Sequence, residues 1–225
     1  MKVSILQPSF LPWLGYFRII QKSDIVVFLD DVQFDKRSWQ QKNMIKTANG
    51  PLSLTIPVLS KNKFDQKINQ VLIDYKSNFI KKHLTTIEQN YKKTQYFNLY
   101  FNLIEKIYNQ KPKHLLDLNV KFILFFIETI FKVKKKYYFS SDLNLKTKKS
   151  QLILDICIKL NSDHYICANG SKNYLDEDSF KNEKIKIEYN DYNHPQYKQL
   201  HGDFIYNLST LDLAMNEGPN SWSII

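Results

Sequence analysis

Glycine and proline are scarce in this chain. Five glycines and seven prolines among 225 residues exclude collagen-like and Gly/Pro-rich low-complexity architectures. Cysteine is scarcer still. Cys157 and Cys167 each lie in apolar context and make neither a disulfide framework nor a metal-ligand spacing. A reduced, cytoplasmic compartment is therefore expected, and no metal. Long hydrophobic runs are missing too. The most apolar stretch, 122–131, is far short of the roughly 20 residues that cross a bilayer. The N-terminus opens as a strand rather than as a charged leader, so neither a signal peptide nor a membrane span is expected. There is no internal repeat. No base-stacking motif of a known nucleic-acid module is present, which argues against nucleic acid as a partner. Acidic residues are the minority: 32 Lys and Arg against 22 Asp and Glu leave a formal charge of +10. A basic surface points to an anionic partner such as a phosphate-bearing substrate or a membrane surface, although lysine-rich drift in composition yields the same excess.

The 43% hydrophobic and 14% aromatic content is enough for a substantial core and excludes a disordered chain. The organising stretch is Met1 to Asn43. Val3, Ile5 and Leu6 read as a short strand, Pro12 interrupts the following loop, and Leu14 to Gln21 suits a helix. Ile25 to Leu29 reads as a buried strand ending at Asp30-Asp31. A strand–helix–parallel strand unit sets its loops at the carboxyl edge of a sheet, where open α/β folds bind ligands. Gln7, Pro12, Trp13, Gly15, Tyr16, Asp30 and Asp31 are expected on that rim, with Lys36, Arg37, Trp39, Lys42 and Asn43 just after it.

Further on, 37–45 and 52–58 read as a hairpin, and 68–73 as a short strand. Helical spacing marks 77–91, 96–108 and, apolar on most of its circumference, 115–133. His83 and His114 read as surface or helix-end histidines. Strand character returns at 136–140, 164–167 and 185–189, with a helix at 147–160. The alternation predicts an α/β fold: a Rossmann-like, mostly parallel sheet in a single domain, with a helical segment at about 75–133 inserted in it or packed on it.

Three constellations carry chemistry. Pro12-Trp13-Leu14-Gly15-Tyr16 stands at a strand-to-helix junction, where nucleotidylyltransferases hold a His-x-Gly-His motif; the glycine fits, but Trp13 and Tyr16 replace the histidines. Asp30-Asp31 suits sugar hydroxyls, the orienting of a base or the holding of a divalent metal, and Lys36, Arg37 and Lys42 suit a diphosphate. In the tail, His194 and His201 are general-base candidates, with Asp203 as an orienting carboxylate. Lys146-Thr147-Lys148-Lys149-Ser150 resembles a synthetase Lys-x-x-Lys-Ser loop but arises easily by chance in a lysine-rich chain.

Gln7-Pro8 with Leu11 to Phe17, Phe28 to Phe34, and Lys36 to Trp39 resemble the N-terminal signature of the WbqC-like family. His194-Pro195 with Tyr197 and Gln199, and Leu208-Ser209 with Leu211 to Leu213 and Asn216-Glu217-Gly218, resemble its C-terminal signature. The resemblance spans nearly the whole chain. It implies a role among bacterial surface-polysaccharide (O-antigen) genes, with transfer of an acyl or aminoacyl (glycyl-type) group to the amine of a nucleotide-linked amino sugar. On that reading His194 or His201, with Asp203, handles the proton, His194 being the favoured base. Asp30 and Asp31 read sugar hydroxyls, and Trp13, Tyr16 and Trp39 stack on sugar or base. Tyr197, Gln199, Asp212 and Asn216 join Gln7, Gly15, Lys36, Arg37, Lys42 and Asn43 as substrate contacts. The expected partners are a nucleotide sugar and an activated acyl donor; no cofactor is identified. The alternatives are a nucleotidyltransferase or adenylate-forming amide ligase, and a non-catalytic module of a glycan-assembly complex.

Overall fold

The computed structural model describes residues 1–225, which form two compact units. The first gathers 1–7, 15–31 and 135–193. Five strands, β1 (Lys2–Leu6), β2 (Ile25–Phe28), β5 (Lys136–Phe139), β6 (His164–Ala168) and β7 (Lys186–Asn190), build a sheet in the order β5-β2-β1-β6-β7. Every pairing is parallel. Strand β2 is buried at every position, which is why its sequence is an unbroken Ile-Val-Val-Phe run instead of an alternating one. The crossovers run through α1 (Leu14–Lys22, its first residue grouped with the other unit), α5 (Lys149–Lys159) and α6 (Glu177–Asn182). Chain order runs outward from β1 to β2 and β5, then returns to the other side of β1 for β6 and β7.

The second unit gathers 8–14, 32–134 and 194–225. Its hairpin pairs β3 (Lys42–Thr47) with β4 (Gly50–Thr55), Lys42 opposite Thr55 and Thr47 opposite Gly50. Gly50 takes φ +98° in that turn, a conformation open to glycine and strained for other residues. Helices α2 (Phe79–Tyr91), α3 (Phe97–Asn109) and α4 (Leu115–Leu124) hold the aromatic core, and α7 (Thr210–Glu217) and α8 (Ser221–Ile224) close the chain. The helical segment expected at 75–133 lies within this unit. Gly218 sits where an added Cβ would fall 2.4 Å from the Tyr96 ring, at φ +54°.

Three sequence expectations are corrected here. The proposed strand at 68–73 is a 3-10 turn at Ile68–Gln70 followed by isolated bridges from Leu72 and Ile73. The helix expected over 115–133 is α-helical only to Leu124. A wide π turn covers Phe125–Ile130, in which Phe131 N–H donates five residues back to Phe126 O at 2.9 Å. His83 is a core residue, 5% exposed, packed by Phe10, Phe79 and Tyr108. His114 does sit at a helix end, 3.7 Å from Asp117.

Candidate functional site

In the first unit, polar side chains collect where the parallel strands end. Asp30, 2% exposed, follows β2. Its Oδ1 accepts from Ser141 N (3.0 Å) and Ser140 Oγ (3.0 Å), and its Oδ2 from Ser141 Oγ (2.8 Å). Its own N–H donates to Ser140 Oγ at 3.1 Å. Ser140 Oγ also meets Asp31 Oδ1. A hydroxyl has one proton, so Ser140 serves one carboxylate at a time. Both Asp30 oxygens are thus engaged in holding the turn after β5 against the end of β2, and the half-buried Asp31 is the carboxylate nearer solvent.

Chain order reverses between β1 and β6. Gln7 follows β1; Asn169 and Gly170 follow β6; all three are exposed. Nothing lies within 4 Å of a Cβ built on Gly170. Gly15 and Tyr16, by contrast, are buried in the first turn of α1. The Tyr16 ring packs edge-on against Phe17, and burial pushes its hydroxyl far above the ordinary tyrosine range. Tyr16 is a core residue here, not a stacking platform. The two thiols are also buried and free; burial raises Cys157 to about 12 and Cys167 to about 11, which leaves them poor nucleophiles.

In the second unit the 8–13 loop is tied at four of its carbonyls. Asn119, fully buried on α4, donates to Pro8 O (3.1 Å) and Gln40 O (2.7 Å). Asn43, 2% exposed, donates to Leu11 O (2.6 Å) and Phe10 O (3.4 Å). Thr210 N–H donates to Pro12 O at 2.9 Å, and Trp13 bridges Ser209. Leu11 is held at φ +42°, an uncommon state for leucine that surrounding bonds must enforce. Asn43, expected to touch substrate, is such a structural clamp. The N- and C-terminal signatures therefore meet at Trp13 and Ser209.

Residues 194–208 form neither helix nor strand, and irregular segments of this length are uncommon outside functional loops. Two buried charges hold this one. Lys46 Nζ donates to Gln199 Oε1 (3.1 Å), Gly202 O (3.3 Å) and Asp203 O (2.5 Å). Asp212 sits in the first turn of α7, which Ser209 caps. Its carboxylate accepts from Tyr91 OH and Tyr197 OH, both at 2.8 Å. Gln199 Nε2 donates to Tyr197 OH (3.2 Å) and Ile205 O (3.0 Å), and Asn216 Nδ2 donates to Asp212 O (2.7 Å). Burial raises the Asp212 carboxyl above the usual carboxylate range, against the pull of the two phenols and Lys46. Tyr197, Gln199, Asp212 and Asn216, all expected as substrate contacts, spend these groups on one another. Lys46, Tyr91 and Asn119 were not anticipated from sequence.

The histidines differ. The His194 ring stands among Tyr197, Phe204 and Tyr206, with Nδ1 2.8 Å from Pro195 O. A carbonyl only accepts, so Nδ1 carries the hydrogen and Nε2 the lone pair; Nε2 is buried. Burial lowers the His194 pKa. His201 is exposed at φ +62°, with Nε2 2.9 Å from Asn90 O. By the same reasoning its lone pair is on Nδ1. The observed orienting groups are thus backbone carbonyls, and Asp203 contributes its own carbonyl to Lys46. Of the expected phosphate ligands, Lys36 donates to Ser60 O at 2.7 Å, Arg37 is exposed, and Lys42 is half-buried in β3. Trp39 is 50% exposed. No three His, Cys, Asp or Glu side chains group as a metal site requires, and no helix is long and apolar enough to cross a membrane. A groove of about 450 Å³ between α2 and α3, floored by Ile80, Leu84 and Phe101, contains none of the signature residues.

Comparison with known proteins matches residues 7–224 to the model of the WbqC-like protein family. The chain is also 32% identical over 221 residues to the uncharacterized protein Rv1507c of Mycobacterium tuberculosis, covering 98% of this chain and 95% of that one. No solved structure matches it.

Proposed function

The chain belongs to the WbqC-like protein family, and on that footing we propose that it transfers an acyl or aminoacyl group to the amine of a nucleotide-linked amino sugar during bacterial surface-polysaccharide synthesis. The observation that carries this reading is the reversal of chain order between β1 and β6. Counted within the sheet, the order becomes 3-2-1-4-5, which fits a Rossmann-like sheet, and such sheets bind nucleotides outside the carboxyl ends of the strands where the order reverses. Gln7, Asn169 and Gly170 occupy that edge, and their exposure leaves room for a nucleotide diphosphate. Asp31 would accept from sugar hydroxyls.

The reaction needs the amine lone pair to attack the acyl carbonyl carbon, the bond to the donor's leaving group to break with its electron pair, and an amine proton to reach a base. Of the two histidines, both in the second unit, His201 is the one whose acceptor nitrogen is accessible. Its exposed ring has Nδ1 as acceptor, whereas the Nε2 of His194 is buried. His194 instead braces the segment that carries His201 through Tyr197, Phe204 and Tyr206.

The test is transfer itself. Purified protein, incubated with nucleotide-linked amino sugars and activated acyl donors, should add one acyl mass to amine-bearing sugars and none to their N-acetylated forms. Pyrophosphate release from ATP without acyl gain would favour the nucleotidyltransferase or ligase alternative.

A further inference from the structure

We propose that the loop surface carrying Trp39, Leu59 and Phe64 seats this protein on the headgroup region of an anionic bilayer. Phe64 is the most exposed large apolar side chain of the chain, at 77%. Trp39 and Leu59 are 50% and 41% exposed. Two loops make this surface, and backbone bonds fasten them side by side: Phe34 N–H donates to Gln66 O (2.8 Å) and Ile68 N–H to Val32 O (3.0 Å). Gln33 Nε2 donates to Phe64 O at 3.0 Å. Lys36 spans the gap, with its ammonium 2.7 Å from Ser60 O and 5.3 Å over the Phe64 ring. Beneath them Phe34, Ile56 and Ile68 are buried, so the exposed tips stand on a packed floor.

The charge around the tips is one-sided. Residues 35–39 and 59–67 hold Lys36, Arg37, Lys61, Lys63 and Lys67 against Asp35 and Asp65, and all five cations are exposed. Aromatic and aliphatic tips ringed by long cationic stems match an anionic lipid surface. The rings enter the interface, and the ammonium and guanidinium groups remain at the phosphates. Leu59 has neither a ring to stack on a base nor a group to hydrogen-bond a base edge or a peptide backbone, which favours lipid over a polymeric partner. The inference is independent of the proposed acyl transfer.

Co-sedimentation of the full chain with phosphatidylcholine vesicles, with and without phosphatidylglycerol, tests it. Binding should require phosphatidylglycerol, weaken at about 0.5 M salt as screening tightens, and withstand competition from a short single-stranded DNA. Phe64→Ser and the double variant Lys61→Glu/Lys63→Glu should each weaken it at least tenfold while melting with the wild type. Lys106→Glu, placed on α3, should bind as the wild type does. Absence of binding to anionic vesicles, indifference to Phe64→Ser, or displacement by the DNA would overturn the proposal. Melting of Phe64→Ser well below the wild type would move the test to Phe64→Gln, which keeps an uncharged side chain with some length at the same exposed position and must also lose binding.

Discussion

Lys46 and Asp212, each 1% exposed, are joined by two hydrogen-bonded paths rather than by an ion pair. One runs from Lys46 Nζ through Gln199 and Tyr197 to Asp212 Oδ2; the other runs from the Lys46 backbone N–H (2.9 Å) through Tyr91 OH to Asp212 Oδ1. Each charge is buried for the sake of a segment with no secondary structure of its own. Lys46→Met should strand the carbonyls of Gly202 and Asp203 and cost about 1–3 kcal/mol for each buried acceptor left without a donor. In a denaturation cycle with Asp212→Asn, the double variant should lose less than the sum of the singles, because the two belong to one network. Additive losses would mean that the two paths are not coupled.

The clamp on the 8–13 loop should be nearly as sensitive. Asn119→Leu fills similar space but leaves Pro8 O and Gln40 O without their donor. An orphaned buried acceptor costs about 1–3 kcal/mol, so urea unfolding should show a loss in that range for each carbonyl. Asn119→Asp should be worse, since it places an acceptor against two acceptors. A neutral Asn119→Leu would show that the loop is held by other contacts.

Acid should reveal His83. Burial lowers its pKa from 6.5 to about 4, so between those values the unfolded chain binds a proton that the folded chain refuses. Stability from this group is therefore complete above about 6.5 and is lost as pH falls toward 4. The loss is of order 2–4 kcal/mol at 1.36 kcal/mol per pK unit. Asp212 works in the opposite sense: its raised carboxyl makes the folded chain the better proton binder as pH falls. Comparing wild type with His83→Phe by calorimetry across this range cancels the Asp212 contribution. The wild type should lose stability relative to the variant as pH falls, and parallel curves would show that His83 does not titrate this way.

Much of this was readable in the residues. The unbroken apolar runs at 25–28 and 165–167 lie in strands that bury them on both faces, and Asp30-Asp31 does mark a strand end. Helical spacing also carries a signal for one buried polar residue. Phe79, His83, Ile87 and Tyr91 recur every four residues and share one buried face, so His83 belongs to the core by its neighbours despite being polar. Asn119, buried on a helix apolar nearly all round, carries a similar signature of a committed hydrogen bond. Lys46 had no such signal. In a chain so rich in lysine, nothing local separates the one whose acceptors arrive from residues more than 150 positions away. The 68–73 stretch misled because Ile68, Val71 and Ile73 are all buried, and short apolar runs do not tell a turn from a strand.

The two histidines should separate in kinetics. His201→Asn removes the exposed acceptor and should lower turnover by about a hundredfold to ten-thousandfold with little change in KM. His194→Asn should act through the aromatic cage, lowering melting temperature and raising KM while turnover of the folded fraction stays within a few-fold. The reverse pattern would restore His194 as the base.

The most direct measurement is calorimetric titration of a nucleotide-linked amino sugar into the wild type and into Gly170→Trp. Gly170 is exposed, its backbone is unstrained and the space around its Cβ is open, so the indole should leave folding intact while covering the crevice between the ends of β1 and β6. The account predicts saturable binding of one molecule per chain, weakened at least tenfold by Gly170→Trp at unchanged melting temperature. Equal affinity in the two proteins, or no binding by the wild type, would contradict the placement of the nucleotide at this edge of the sheet.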